Sequence, residues 1–269
     1  MLLVLILSIS FSFSTFASHI ETQIYDIDEG TAKEETLLFL TSGHVIRVKK
    51  QKVKRHQWLR ISLNDQNKIE SFTVIPPTKP IQKISSKTFL GQTPYVPTVI
   101  ENLDLANTYF HEAQFVEKES QCYNRAHIWS YEWFIKNAIN SNKTWLFFTR
   151  RYIRKFKFDW WFHVSPSIRV LENGIEKEKI MDVKYARGPI DLKSWTDIFM
   201  KDDANCPMVN TYSEYANFPE SGSCYTLRTS MYYYQPIDIE SKEIWETTKQ
   251  DWYEGEIKQA YLEAFDRAI

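Results

Sequence analysis

Apolar and polar residues alternate along the first third of the chain in runs that read as strands. These runs are 35–49 (ETLLFLTSGHVIRVK), 57–63 (QWLRISL) and 68–75 (KIESFTVI), with Asn64-Asp65 as a turn between the last two. The connector IPPTKPIQK follows, and its prolines cannot continue a central strand. From Val99 to Phe115 the spacing turns helical, with Ile100, Leu103, Tyr109 and His111 on the pattern. The polar stretch EKES at 117–120 interrupts it, and a domain boundary is expected near 113.

A second helix is predicted over 122–139 (CYNRAHIWSYEWFIKNAI). Cys122, Ala126, Trp129 and Trp133 fall on one face, and Ser120 stands just ahead as an N-cap. Strands are predicted over 144–149 (TWLFFT), 158–171 (FDWWFHVSPSIRVL) and 177–183 (KEKIMDV). Asn173-Gly174 is a strong hairpin signal between the last two. With those two residues as the turn, His163 faces Lys184, and Asp182 becomes its diagonal neighbour on the same face. Pro166 is where a bulge would break that register. The tail from about Ser241 is helical, with Ile257, Tyr261, Ala264, Phe265 and Ile269 as its apolar stripe.

Composition narrows what these elements do. The chain has 269 residues, 43% hydrophobic and 25% charged, which suits one or two folded domains. Lys and Arg number 33 against 34 Asp and Glu, so no general electrostatic pull toward nucleic acid is expected. The 7 glycines are scattered, which excludes glycine-rich phosphate loops. The 3 cysteines lie far apart, which excludes zinc ribbons and C-x-x-C redox sites. Residues 1–17 (MLLVLILSISFSFSTFA) carry an apolar run too short to span a bilayer, then the small-x-small pattern Thr15-Phe16-Ala17. A cleaved signal peptide is expected, with secretion or a periplasmic location and no stable membrane insertion.

Export changes the reading of the cysteines. Cys206 and Cys224 bracket a polar loop and are the disulfide candidates, which leaves Cys122 single. In the first turn of a helix, free amide N–H groups and the helix dipole favour an anion such as a thiolate. A free thiol, a histidine on a strand and a carboxylate beside it make the nucleophile, base and orienter of a thiol acyl-transfer site. Arg125, His127, Trp160 and Trp161 are candidates for the cleft wall or for packing behind the triad. Trp160 and Trp161 point to opposite faces of a strand, so one belongs in the core. The basic runs Arg47–Arg55 and Arg150–Lys157 read as solvated strand faces, and His44, His56 and His111 as ordinary packing or surface residues.

The local sequences resemble those of the bacterial protein-glutaminase (protein-glutamine deamidase) family. Cys122-Tyr123-Asn124-Arg125-Ala126-His127 is similar to its Cys-Tyr-x-Arg-Ala-His block, and Trp160–Val164 to its Trp-x-aromatic-His-Val block. Ile180-Met181-Asp182 resembles its apolar-apolar-Asp block, and Gly188-Pro189-Ile190 with Trp195 the segment that follows. Val183 stands where the family tends to have Pro. The resemblance covers about 120–235 and, more faintly, 44–112. It implies an α+β fold with a papain- or transglutaminase-like core, a Cys-bearing helix packed on an antiparallel sheet that bears His and Asp. It also implies a small α+β prosegment over 18–112, a catalytic domain over 113–269, and a pre-pro-enzyme made latent by that prosegment. By matching position, Cys122 is the nucleophile, His163 the general base and acid, and Asp182 its orienter. The implied reaction converts glutamine side chains in proteins to glutamate and ammonia without metal or organic cofactor. The implied partners are protein substrates with exposed glutamine and an activating protease, with the enzyme a monomer. A transglutaminase-like or papain-like thiol enzyme, and an inactive exported binding protein with the same fold, stay open as alternatives.

Overall fold

The alternation in the first third of the chain builds one five-stranded antiparallel sheet. A computed structural model describes residues 18–30, 35–49, 53–64, 69–77, 95–113, 120–210, 222–241 and 256–265. The expected leader at 1–17 lies outside these residues, as does most of the Pro- and Lys-containing connector, with Lys79 and Lys83. The first sheet comprises β1 (Ser18–Asp28), β2 (Thr36–Leu40), β3 (Val45–Val48), β4 (Trp58–Leu63) and β5 (Ile69–Ile75), in the order β3-β2-β1-β4-β5. Its centre, β1, is absent from the sequence reading. A threonine takes one of its buried positions, with Thr22 Oγ1 bonded to Thr41 Oγ1 and to the Ser42 amide. A register shift between Ile24 and Asp26 then resets the alternation, so no run of period two is long enough to stand out.

The second sheet contains β6 (Val99–Ile100), β7 (Asn142–Phe148), β8 (Phe162–Glu172), β9 (Ile175–Ile180), β10 (Met208–Val209) and β11 (Cys224–Ser230). Its order is β10-β11-β7-β8-β6, and β9 pairs with β8. Among the described residues, six helices accompany it: α1 (Leu103–Glu112), α2 (Cys122–Asn137), α3 (Arg150–Phe156), α4 (Leu192–Phe199), α5 (Pro236–Ser241) and α6 (Lys258–Phe265). The chain is thus a mixed α+β protein.

Several expectations are corrected. Ile100 sits in a strand, β6, that pairs in parallel with β8, and α1 starts only after it. Ala106 and Phe110, rather than Tyr109 and His111, form the buried side of α1. The Trp133 indole N–H donates to the Tyr109 carbonyl at 2.9 Å, which seats α1 on the second sheet's side of the molecule. Residues 99–100 thus already belong to the second sheet, ahead of α1. The basic run 150–157 is a helix rather than a strand face. Thr149 caps it by accepting from the Tyr152 N–H at 3.1 Å, and Lys157, left-handed with φ +49°, ends it.

A disulfide joins Cys206 to Cys224, with 4.9 Å between the Cα atoms, and ties the segment before β10 to the start of β11. Cys122 is the free cysteine. No helix among the described residues is long and apolar enough to cross a membrane.

Candidate active site

The sequence places Cys122 at the first residue of α2, and the structure keeps it there. Gln121, not Ser120, is the N-cap, and no side chain caps the first-turn N–H groups. The Ser120 carbonyl instead accepts from Arg125 Nη1. The stripe expected on this helix is the one that packs: Cys122 and Ala126 reach one hydrophobic cluster, Trp129 and Trp133 the next.

His163 is the second residue of β8 and opposes Leu146 of β7. The hairpin register is the one that Asn173-Gly174 demands, with Glu172 facing Ile175 through to Ser167 facing Ile180. However, β9 stops at Ile180, so neither Asp182 nor Lys184 is a strand residue. Asp182 reaches the imidazole from a tight loop instead. That loop is closed at its base by Ile180 and Ile190, whose backbones exchange hydrogen bonds of 2.7 and 3.1 Å. Inside it the Asp182 carbonyl accepts from the amides of Tyr185 and Ala186. The loop re-creates the side-by-side placement that the strand register suggested, by a different route.

The geometry is that of an oriented imidazole. His163 Nε2 donates to Asp182 Oδ2 at 2.7 Å, and the Trp195 indole N–H donates to the same oxygen at 2.9 Å. Both partners are buried, His163 at 1% exposure and Asp182 at 1%. Burial alone would depress the His163 pKa. The charge and hydrogen bond of Asp182, then those of the neighbouring Cys122 thiol, outweigh it and hold the pKa above the usual value. Burial likewise works against an ionised Asp182, but His163, the Trp195 N–H and the charge of Arg125 prevail and keep its pKa low. With Nε2 committed to Asp182, Nδ1 is the ring nitrogen left for the thiol. The arrangement sets a thiol beside an imidazole that is oriented by a carboxylate, a grouping that can serve as nucleophile and base.

Sequence reasoning did not assign Trp195, Tyr185 or Phe199 a place in the site. Phe199 lies 4.3 Å and Tyr185 5.3 Å from the His163 ring, centroid to centroid. The spacing Leu192, Trp195, Phe199 was the available signal, one face of a short helix in a segment read only for its resemblance. Arg125 is buried, with its guanidinium 5.8 Å above the Tyr185 ring. His127 is buried too, but it faces Lys143 rather than His163. Trp161 is the core member of its pair, and Trp160 lines a cavity of about 330 Å³ together with His163, Tyr185, Phe199, Lys157 and Lys201.

The N-terminal sheet sits against this corner. The turn between β2 and β3 pairs with residues 159–161: the Val45 amide donates to the Asp159 carbonyl at 2.8 Å and the Trp161 amide to Gly43 at 3.0 Å. The Trp161 indole N–H donates to the Leu40 carbonyl at 2.7 Å, and Tyr25 stacks on its ring at 4.8 Å. His44 is buried in this contact against Trp160, where burial lowers its pKa to about 4. Gly43 adopts φ +89°, and a Cβ there would stand 3.3 Å from the Phe162 ring, so the approach is built on glycine. Arg47 with Asp159 and Arg154 with Asp28 add ion pairs across the seam. No cluster of three or more His, Cys, Asp or Glu fit to hold a metal ion occurs among the described residues.

Residues 100–199 match the family model described as Glutaminase. The blocks that carried the resemblance, Cys122–His127, Trp160–Val164 and Ile180–Asp182, all fall inside the match, and the resemblance is borne out. The crystal structure of pro-protein-glutaminase is similar at a TM-score of 0.50 and 16% identity, over 90% of this chain and 92% of that one. A mutant of pro-protein-glutaminase is similar at 0.50 and 17% identity, over 80% and 83%. At such identities the likeness is one of fold. No curated protein matches the sequence.

Proposed function

We propose that the chain is a secreted cysteine amidohydrolase that deamidates glutamine side chains in proteins. The observation that carries this reading is the meeting of Cys122, His163 and Asp182 in one buried corner, inside the residues that match the glutaminase model. The Cys122 thiolate attacks the γ-carboxamide carbon and forms a C–S bond. The C–N bond breaks as His163 gives its proton to the departing ammonia, leaving a thioester. Water, giving a proton to the same histidine, then attacks the thioester carbon; the C–S bond breaks, and glutamate leaves with the thiolate restored. Asp182 holds the ring and supports its charged form, while the uncapped amides at the start of α2 are the donors for the oxyanion. The papain- or transglutaminase-like core is part of this proposal.

Latency belongs to the same reading. The N-terminal sheet is seated on residues 159–162, immediately before His163, which supports a prosegment role for it. A tethered cover acts at an effective concentration on the order of millimolar, so even a modest contact keeps the cleft filled. Removal of the leader at 1–17 and cleavage in the connector would complete maturation.

The test follows ammonia release from a protein rich in exposed glutamine, before and after brief trypsin treatment of the full chain. Substrate length and incorporation of an added amine are followed alongside. Ammonia that appears strongly only after digestion, with neither cleavage nor amine transfer, supports the reading. Peptide-bond cleavage makes the chain a peptidase, amine incorporation a transglutaminase, and no turnover in either state a binding protein. Full activity before digestion removes the latency claim alone.

A further inference from the structure

Behind the Cys122 helix lies a buried charge cluster that the deamidation chemistry does not use. Lys143, on β7, has 0% exposure. Its Nζ donates to His127 Nδ1 at 2.6 Å and to the Tyr233 carbonyl at 2.5 Å. His127 belongs to α2, five residues beyond Cys122, and Tyr233 to the segment entering α5. Two carboxylates complete the cluster. Glu256 Oε2 lies 3.9 Å from His127 Nε2, and Asp238 Oδ2 accepts from the amides of Tyr234 and Gln235 at 3.1 and 2.6 Å. Glu256 leads into α6, which touches α2 again: Asn124 donates to Glu263 and the Tyr261 hydroxyl to Glu132, each at 2.8 Å.

Such groups are tolerated inside a protein only when acceptors and opposite charge surround them. Burial, aided by the charge of Lys143, holds the His127 pKa far below its usual value, so the neutral ring accepts at Nδ1. Burial also lowers Lys143 to about 7 against the pull of Glu256 and Asp238, and raises both carboxylates. Each member is compensated by the others, and the elements they join are β7, α2 and two C-terminal segments. Asp238 and Glu256 lie beyond the residues that match the glutaminase model.

We propose that Lys143 is a positioning residue that clamps the Cys122 helix between the sheet and the C-terminal segments 233–238 and 256–265, making those segments working parts of the active site. The proposal rests on Cys122 being the nucleophile. Without the clamp α2 shifts against β8, and a displacement of about 1 Å between thiol and imidazole lowers the rate on the order of 100-fold.

The test uses the full chain as wild type, Lys143→Met, Glu256→Gln and the double variant, each assayed by backbone hydrogen exchange. Kinetics of ammonia release follow, after the same brief proteolysis of each. Lys143→Met is expected to quicken exchange about tenfold or more in both 122–137 and 256–265, with β1–β5 unchanged. Its kcat falls about tenfold or more with KM within about twofold, as expected of a positioning loss. The double variant loses less than the sum of the two single losses, because Lys143 and Glu256 act in one cluster and removing either already breaks it. If Lys143→Met does not fold, Glu256→Gln carries the test, with a smaller rise in exchange expected in the same two segments. Unchanged kinetics, exchange that quickens in 256–265 alone, or losses that merely add would overturn the clamp. If the wild type releases no ammonia, the deamidase reading fails, while exchange and the double-variant cycle still decide the clamp.

Discussion

The two sheets bury different things. The N-terminal sheet encloses aliphatic side chains, among them Ile24, Leu38, Leu40, Leu59 and Ile61, and keeps charged pairs such as Arg60 with Glu21 near its surface. The second sheet takes Arg125, His127, Lys143, His163 and Asp182 inside. Aliphatic burial stabilises a fold whatever its task. Buried ionisable groups cost free energy unless partners are built around them, which makes their clustering a mark of function rather than of stability. On the proposed reading, the first unit serves as a cover and the second holds the chemistry.

The comparison breaks first at the thiol. Cys122→Ala should lower kcat by roughly 10⁴-fold or more while leaving the unfolding transition nearly in place, because it removes chemistry rather than much volume. His163→Ala should be comparably severe, and Asp182→Asn should leave a measurable remnant. A variant that loses stability in step with turnover would mean that the second unit's buried groups serve packing. In the first unit the pattern inverts. Leu59→Ala should destabilise by about 2–5 kcal/mol in denaturant unfolding, and it should raise rather than lower ammonia release from the undigested chain, because the cover loosens. A fall in release would show that the N-terminal sheet assists catalysis.

A smaller effect sharpens the account of Asp182. Trp195→Phe removes one of its two side-chain donors and should cost about 1.5–3 kcal/mol, read as a drop of roughly 10–100-fold in kcat. An unchanged kcat would leave His163 as the only donor that matters.

Smallest is the pH effect on stability. Asp182, with its pKa lowered, stabilises the fold above the ordinary carboxylate value of 3.8 and loses that contribution as pH falls through its folded value. His163, with its pKa raised, contributes fully below 6.5 and loses that as pH rises through its folded value. The stability gap between wild type and Asp182→Asn should therefore be widest between those two values and narrow on either side. A gap that is flat with pH in denaturant titrations would mean that the pair is not ionised.

Much of the site was legible because its signals are local. Cys122 at a helix start, His163 on a strand and Asn173-Gly174 in the turn each follow from short-range pattern. Asp182 was placed beside His163 for a partly mistaken reason, since β9 ends two residues earlier and a closed loop does the work. Long-range contacts left no such trace. Lys143 reads as one of three polar residues, Asn142 to Thr144, ahead of an apolar run until Tyr233, Asp238 and Glu256 arrive from far along the chain. In the fold, β1 was hidden by Thr22 at a core position and by the register shift after Ile24. The helix over 150–156 was hidden by its brevity and charge, because Tyr152, Ile153 and Phe156 are too few among the basic residues to show a period.

The part played by Cys122 is tested most directly by one paired measurement. Wild type and Cys122→Ala, digested identically, are given the same glutamine-containing protein, and its mass and the released ammonia are recorded together. The expected result is conversion of glutamine to glutamate, with matching ammonia and an intact substrate chain, by the wild type only. Conversion by Cys122→Ala at the wild-type rate would contradict it.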